Sequence, residues 1–143
     1  MIQLDKDVVV LSLRFAPANH RIPTARHVVA LLTNACCARS DDALTILTEL
    51  VSNAVRHTTT LVDVTVTVDQ YAVLIEVADD GDGQPVLRAV DRYSLDGGRG
   101  LRIVDLLANE WGVNPRDGDK TVWARIEADP PRHRSARSPS GTV

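Results

Sequence analysis

Two neighbouring segments with a strict two-residue alternation constrain the fold of this chain more than any other feature. In the range 61–68, valine occupies every second position, and mostly Asp and Thr lie between. The range 71–79 repeats the apolar alternation, and only Asp69 and Gln70 separate the two segments. Because side chains along a strand point alternately to opposite faces, each segment predicts a half-buried strand, and the tight connection predicts a hairpin.

Asp79 continues the apolar face of the second segment. The preceding residues in the same phase are Tyr71, Val73, Ile75 and Val77. A carboxylate in this position points toward the core, where a charge without a partner is costly. We therefore expect a dedicated hydrogen-bond partner for Asp79, and a ligand is one candidate.

The range 44–57 has the apolar spacing of a helix that packs on a core. Its stripe consists of Leu44, Leu47, Val51, Ala54 and Val55. Glu49 and Asn53 lie four residues apart, so they stack on another face of the helix. A carboxylate and an amide one turn apart beside a core form a candidate site. A solvated face with a chance polar pair is the alternative interpretation of this helix taken alone.

The remaining segments complete an α+β pattern. We predict a strand at Val8–Phe15, a loop over 16–23, helices capped by Thr24 and Ser40, a helix opened by the range 97–101, and strands at 111–113 and 121–127. The element order is therefore β-α-α-β-β-α-β-β. This order predicts a two-layer α/β sandwich, with helices on one face of a mixed or antiparallel sheet.

Composition places the chain among ordinary globular proteins. It has 143 residues, 44% hydrophobic and 24% charged, which is enough for one domain, assigned to residues 1–128. The basic range 129–143 has no apolar period and predicts a disordered tail. A net charge of -3 gives no reason to expect direct binding to nucleic acid. Since no apolar run is long enough to span a bilayer and no signal pattern is present, we expect a cytoplasmic protein.

Two glycine clusters follow the hairpin. The first, Asp79 to Gly83, comes directly after the second strand, and the second, Gly97 to Gly100, leads into a helix. Glycine allows a ligand to approach the backbone closely, and the free N–H groups at a helix start suit phosphate. Alone, the second cluster also fits a flexible loop. A calcium loop is excluded for the first cluster, because Pro85 interrupts it and no glutamate occupies the twelfth position.

Taken together, three motifs in this order resemble the N, G1 and G2 boxes of the GHKL ATPase superfamily, which includes DNA gyrase, HSP90 and the histidine kinases. The motifs are Glu49-x-x-x-Asn53 on a helix, Asp79-x-Gly81-x-Gly83 after a strand, and Gly98-x-Gly100-Leu101 at a helix start. The chain further resembles the small bacterial anti-sigma regulatory factors and serine-protein kinases over about residues 8–127. The resemblance implies a Bergerat-type ATP-binding fold.

The resemblance also implies ATP and Mg²⁺ as ligands and gives roles to individual residues. Asn53 resembles the residue whose side-chain oxygen holds Mg²⁺ against the triphosphate, and Mg²⁺ prefers such oxygen ligands. Asp79 resembles the acceptor of a hydrogen bond from the adenine amino group. The other implied nucleotide-binding residues are Gly81 and Gly83 beside the base and sugar, Gly98, Arg99, Gly100 and Leu101 at the phosphates, and Thr121 as a support for the adenine contact.

Glu49 is the residue that bears most on the type of activity. In the families that this chain resembles, histidine kinases usually carry Asn at this position, whereas gyrase-like ATPases and the serine-kinase branch carry Glu. A carboxylate there can take a proton from water or from a serine hydroxyl that attacks the γ-phosphate, so Glu49 is the predicted catalytic residue. The alternative is that Glu49 only positions Mg²⁺-bound water or Arg56.

Three functional hypotheses stay open. The first is a serine/threonine kinase that phosphorylates an anti-sigma-factor antagonist with a STAS domain and sequesters a sigma factor. The second is a regulator that binds a partner in an ATP-dependent way without phosphotransfer. The third is an ATPase module that works with other chains. Glu49 favours the first over the second, and a homodimer is compatible with each.

Overall fold

The alternating segments form the centre of a six-stranded sheet in a computed structural model of the chain, which describes residues 1–5, 7–36, 39–80, 98–116 and 119–127. The strands are β1 (Ile2–Asp5), β2 (Val8–Phe15), β3 (Val62–Asp69), β4 (Ala72–Asp79), β5 (Glu110–Arg116) and β6 (Asp119–Glu127). The helices are α1 (Arg21–Cys36), α2 (Ser40–His57) and α3 (Gly98–Leu107). The predicted tail at 129–143 lies outside the described residues.

The strands of this sheet pair antiparallel in the order β1-β2-β3-β4-β6-β5. The register of β3 and β4 sets Val64 opposite Val77 and Val66 opposite Ile75. The alternating apolar residues of both strands therefore share one face of the sheet. The predicted hairpin is confirmed. Of the two predicted alternatives, a mixed or an antiparallel sheet, the antiparallel sheet is the one that forms.

The three helices pack on this apolar face. Helix α2 lies at the centre against β3, β4 and β6, α1 packs on β2 and β3, and α3 packs on β5 and along α2. One buried cluster joins Val29 of α1, Leu47 of α2 and Val104 of α3 to the sheet valines. Each fully buried aliphatic side chain contributes roughly 1.5–3 kcal/mol, so this cluster supplies the main stabilisation. The predicted α+β sandwich is confirmed.

Two features of the N-terminal part of the chain differ from the sequence prediction: an additional strand, β1, and an earlier start of α1. Strand β1 is absent from that prediction, because four residues are too few to show an alternation; Ile2 pairs opposite Leu11 of β2. Helix α1 begins at Arg21, whose N–H donates to the carbonyl of Ala18 at 2.9 Å. The predicted cap at Thr24 is therefore wrong, since the intervening proline is tolerated within a first helical turn.

Ser40 contacts α1 instead of capping α2. Its Oγ lies 2.8 Å from Oγ1 of Thr33 and donates to Oδ1 of Asn34 at 2.5 Å. Arg39 occupies the cap position, without a side-chain hydrogen bond to the helix start. The cap prediction for Ser40 is wrong because its hydroxyl serves a buried contact between the two helices.

Tyr71 is the one residue of the predicted alternation that does not lie in the core. It is 68% exposed and precedes β4, which begins at Ala72. The carboxylate of Asp69 accepts the N–H groups of Tyr71 and Ala72 at 2.6 and 2.8 Å. This side-chain turn sets the start of the strand one residue later than predicted.

Within the described ranges, no helix combines the length and the hydropathy that a bilayer crossing requires.

Arg39 joins the start of α2 to the end of α3. Its side chain is 9% exposed, and its Nε donates to Oδ2 of Asp42 at 3.0 Å. Nη2 donates to the carbonyl of Leu107 at 2.9 Å, and Nη1 to Oδ1 of Asn109 at 3.3 Å. Leu107 is the last residue of α3, and the final carbonyls of a helix lack partners within it. Arg39 therefore caps α3 and orients it relative to α2.

Replacing Arg39 with Met is expected to destabilise the fold. Methionine retains much of the apolar stem but removes every donor, so we expect a loss of about 2–3 kcal/mol in the free energy of unfolding. Arg14→Met is the matched control, because its ion pair with Asp63 is exposed, at 68% and 42%, and is expected to contribute little. Urea denaturation of both variants measures the difference. Equal losses in the two variants would contradict the tethering role of Arg39.

Candidate functional site

Asn53 lies on the buried side of α2. Ala43, Ile46 and Leu50 are spaced three and four residues apart and are buried along one line, which Asn53 continues with 6% exposure. Asn53 is thus deeper than predicted, since the sequence pattern set it on a polar face with Glu49. An amide in line with core residues loses its contact with water, so its polar atoms need partners within the protein or on a ligand.

The side-chain oxygen of Asn53 lacks such a partner. Among the described residues, Oδ1 of Asn53 accepts no hydrogen bond, and it is shielded from water. A buried acceptor without a partner costs about 1–3 kcal/mol. An amide oxygen is one of the hard ligands that Mg²⁺ prefers, usually together with waters and phosphate oxygens. The chemistry and the orphaned state of this atom therefore fit a Mg²⁺ ligand.

Glu49 lies one turn before Asn53 on α2. Its side chain is half-buried, and no described residue forms an ion pair or hydrogen bond with its carboxylate. Groups of three or more His, Cys, Asp or Glu side chains that could hold a metal do not occur in the described ranges. The carboxylate of Glu49 is thus available to a ligand on this part of α2, rather than to an all-protein metal site.

Asp79 ends β4 with its side chain buried, as its strand phase predicts. The residue opposite it in β6 is Lys120, whose Nζ lies 3.4 Å from Oδ1 of Asp79. The two side chains are 2% and 4% exposed for Asp79 and Lys120. Asp79 therefore forms an ion pair with a buried lysine from the neighbouring strand.

Helix α3 is fixed to α2 by its last turn. Leu107, at that end, accepts a hydrogen bond from Arg39 at the start of α2, and α3 packs along α2. The free N–H groups and the positive end of the helix dipole lie at the opposite end of α3, at Gly98.

Thr58 connects the end of α2 to the end of β4. Its hydroxyl donates to Oδ1 of Asp80 and accepts the N–H of Thr60 at 3.4 Å. Hydrogen bonds from Thr58 and then from Thr60 hold the pKa of Asp80 below its ordinary value of 3.8, because they stabilise the charged carboxylate. Since Asp80 follows Asp79, and Thr58 follows Asn53 by little more than one turn, this bond keeps Asn53 and Asp79 at one end of the sandwich.

A pocket of about 220 Å³ lies beside Asp79 at this end of the sheet. Three further carboxylates line it, those of Asp63, Asp80 and Asp119. Arg14 also lines the pocket, but it is paired with Asp63. Because the carboxylates outnumber this cation and like charges repel, the pocket is poorly suited to phosphate groups. An anionic ligand is favoured instead at the positive end of α3.

The structure describes some of the other predicted nucleotide-binding residues but not all of them. Gly98, Arg99 and Gly100 form the first turn of α3, and Leu101 is 4% exposed in the core beneath it. Gly81 and Gly83 lie outside the described residues.

Thr121 is 9% exposed and stands opposite Ala78, one register position away from the pair of Asp79 and Lys120. Sequence reasoning missed Lys120 as the neighbour of Asp79. The available signal was the antiparallel register between the final strand and the strand that ends at Asp79. Thr58 was also missed, because its contact with Asp80 forms only in the folded chain.

Comparison with protein families identifies the class of this domain. The family described as histidine kinase-, DNA gyrase B- and HSP90-like ATPase matches residues 38–142. This match covers more than half of the chain, and the chain belongs to this family, the GHKL ATPases. It is thus an ATP-binding domain, and its antiparallel sheet with helices on one face is consistent with the sandwich of that family. The comparison with curated proteins finds no match.

Replacing Thr58 with Val is expected to change the pH dependence of stability. The pKa of Asp80 is lower in the folded state than in the unfolded state, where it is near 3.8. The contribution of the ionised carboxylate to the free energy of unfolding is therefore complete when the pH is above the unfolded-state pKa, and it is lost as the pH falls through the folded-state pKa. The melting temperature of Thr58→Val should therefore lie below that of the wild type at neutral pH, and the gap should narrow below pH 3.8. Thr59→Val, at an exposed neighbouring position, is the control. A gap that is constant with pH would show that Thr58 does not act on the ionised carboxylate.

Proposed function

We propose that this chain is an ATP-dependent serine/threonine protein kinase that regulates a sigma factor. The observation that carries the proposal is the half-buried carboxylate of Glu49, free of ion pairs within the described residues, one turn before the orphaned oxygen of Asn53. A base beside a metal ligand suits a reaction in which the nucleophile must lose a proton. Membership of an ATP-binding family supplies the phosphoryl donor.

In the proposed complex, the nucleotide extends from the end of β4 to the start of α3. Asp79 accepts a hydrogen bond from the adenine amino group, with Thr121 as a support, and Gly81 and Gly83 leave room for the base and sugar. Backbone N–H groups in the range 98–101 (Gly98, Arg99, Gly100 and Leu101) bind the phosphates. Asn53 holds Mg²⁺, which when bound neutralises charge on the phosphate oxygens.

Glu49 acts as the general base in the proposed reaction. Its carboxylate accepts the proton of a serine or threonine hydroxyl as that oxygen attacks the γ-phosphorus. The new bond joins the hydroxyl oxygen to phosphorus, and the bond from phosphorus to the bridging oxygen breaks, so that ADP leaves with the electron pair. A positioned base typically contributes about 10²–10⁴-fold to such a step.

The proposed acceptor is an anti-sigma-factor antagonist with a STAS domain. Phosphorylation adds a charge of about −1.5 to −2 to the acceptor, which is enough to alter a protein interface. The chain would then hold a sigma factor, either as a monomer or as a homodimer. We place this activity in the cytoplasm and without direct contact to nucleic acid.

The proposal is tested by incubation with radiolabelled ATP, Mg²⁺ and candidate STAS-domain proteins. Glu49→Gln keeps the shape of the side chain but removes the base, so phosphotransfer should fall about 10²-fold or more while ATP affinity stays near that of the wild type. Glu110→Gln is the matched control, since it makes the same change at an exposed position on β5 and should transfer phosphate normally.

The outcomes separate the functional alternatives. Wild-type protein that binds ATP but labels no candidate would contradict the kinase proposal and would favour an ATP-dependent binding module. Labelling that survives in Glu49→Gln would exclude Glu49 as the base. A wild-type protein that binds no adenine nucleotide would overturn the proposed site as a whole.

A further inference from the structure

Glu76 lies near the centre of the sheet, on the face that carries none of the three described helices. Its neighbours Ile75 and Val77 are buried on the helical side, so the side chain of Glu76 lies on the opposite, open face. It is half-buried beside its cross-strand neighbours, Thr65 of β3 and Trp123 of β6. No described residue forms an ion pair or hydrogen bond with its carboxylate. A partly shielded carboxylate of this kind favours a cation from another segment.

Trp123 presents an aromatic surface next to this carboxylate. Gly112 stands opposite Trp123 in the edge strand β5. A Cβ atom at Gly112 would lie 3.1 Å from each of the ring atoms Cε2, Cζ2 and Nε1. Equal distances to three bonded atoms place the indole face-on over Gly112, so its other face is turned away from the strand. An indole face beside a carboxylate suits arginine, whose planar guanidinium stacks on aromatic rings and donates to carboxylates.

The chain carries arginines shortly after the strand that holds Trp123. Strand β6 ends at Glu127, and the range 132–137 contains three arginines and no acidic residue. These are Arg132, Arg134 and Arg137. The net charge of the whole chain is -3, so the remainder of the chain is more negative still. The segment 132–137 is therefore complementary in charge to the domain that precedes it.

The connection is long enough for Arg134 to return to Glu76. Trp123, directly opposite Glu76, lies four residues before Glu127, which is about 13 Å back along β6. Arg134 follows Glu127 by seven residues, and these span at most about 23–25 Å when extended. The surplus is enough for the chain to turn back after Glu127. The five residues to Arg132 span at most about 17–18 Å and leave little length for a turn.

We propose that Arg134 binds Glu76 and Trp123, and that the segment 132–137 thereby docks on the open face of the sheet. The guanidinium of Arg134 stacks on the indole and donates hydrogen bonds to the carboxylate of Glu76. This contact lies on the face opposite α2 and needs no nucleotide, so it does not depend on the proposed function. The docked segment covers the open face and excludes other proteins from it until Arg134 is released.

Nuclear magnetic resonance relaxation on the labelled, full-length protein tests the docking. In the wild type, the amides of 132–137 should have order parameters of about 0.85, as in rigid backbone. Glu76→Gln keeps the shape of the side chain but removes its charge, and should lower these values below about 0.6, the flexible range. Arg134→Gln should do the same and should shift the indole N–H signal of Trp123.

Two matched variants control for the change of charge. Arg132→Gln removes the same charge at a position whose connection is too short for the contact. Asp41→Asn removes a carboxylate at an exposed position of α2. Both variants should keep the wild-type order parameters over 132–137.

Three results would overturn the inference. The first is a wild-type segment with order parameters below about 0.6 throughout. The second is order that persists in both Glu76→Gln and Arg134→Gln, since the segment would then be held elsewhere. The third is order that appears only as the protein concentration rises, because the segment would then bind a second copy of the chain. Arg134 lies after the last described strand, so Arg134→Gln decides the matter even if Glu76→Gln does not fold.

Discussion

Helix α2 must bury one side against β3, β4 and β6, and the rest of the site depends on this contact because the same burial removes Asn53 from water. Ile46, Leu47 and Leu50 each contribute roughly 1.5–3 kcal/mol by burial. The orphaned oxygen of Asn53 costs about 1–3 kcal/mol, so the helix stays in place with its polar atom unsatisfied. In the proposed site, a cation beside the triphosphate would offset that cost.

Two polar tethers then bring the other parts of the site to α2. At its start, Arg39 binds the end of α3, and α3 packs along α2. At its end, Thr58 binds Asp80 and keeps the buried carboxylate of Asp79 close to the last turn of the helix. Elements that are far apart along the chain are therefore held against one central helix at both of its ends. Each tether is a side chain bonded to the terminus of another element.

Periodicity was enough to predict the architecture but not the contacts that assemble the site. The alternation in β3 and β4 predicted the hairpin, the buried face and the phase of Asp79, because burial on one side of a strand requires that pattern. The helix pattern predicted that Glu49 and Asn53 lie one turn apart, but it could not show that Asn53 is buried, since that depends on which elements cover the helix. Lys120 was missed because an ion pair across two strands depends on register, which composition does not reveal.

Nuclear magnetic resonance titration tests most directly whether a nucleotide binds between α2, the end of β4 and the start of α3. On addition of ADP and Mg²⁺, the amides of Asn53, Asp79 and Leu101 should show the largest chemical-shift changes. A second pocket, of about 350 Å³, lies at the other end of β4 and is lined in part by Tyr71 and Glu127, whose amides should not change. Shifts concentrated at that second pocket, or none at all, would contradict the account.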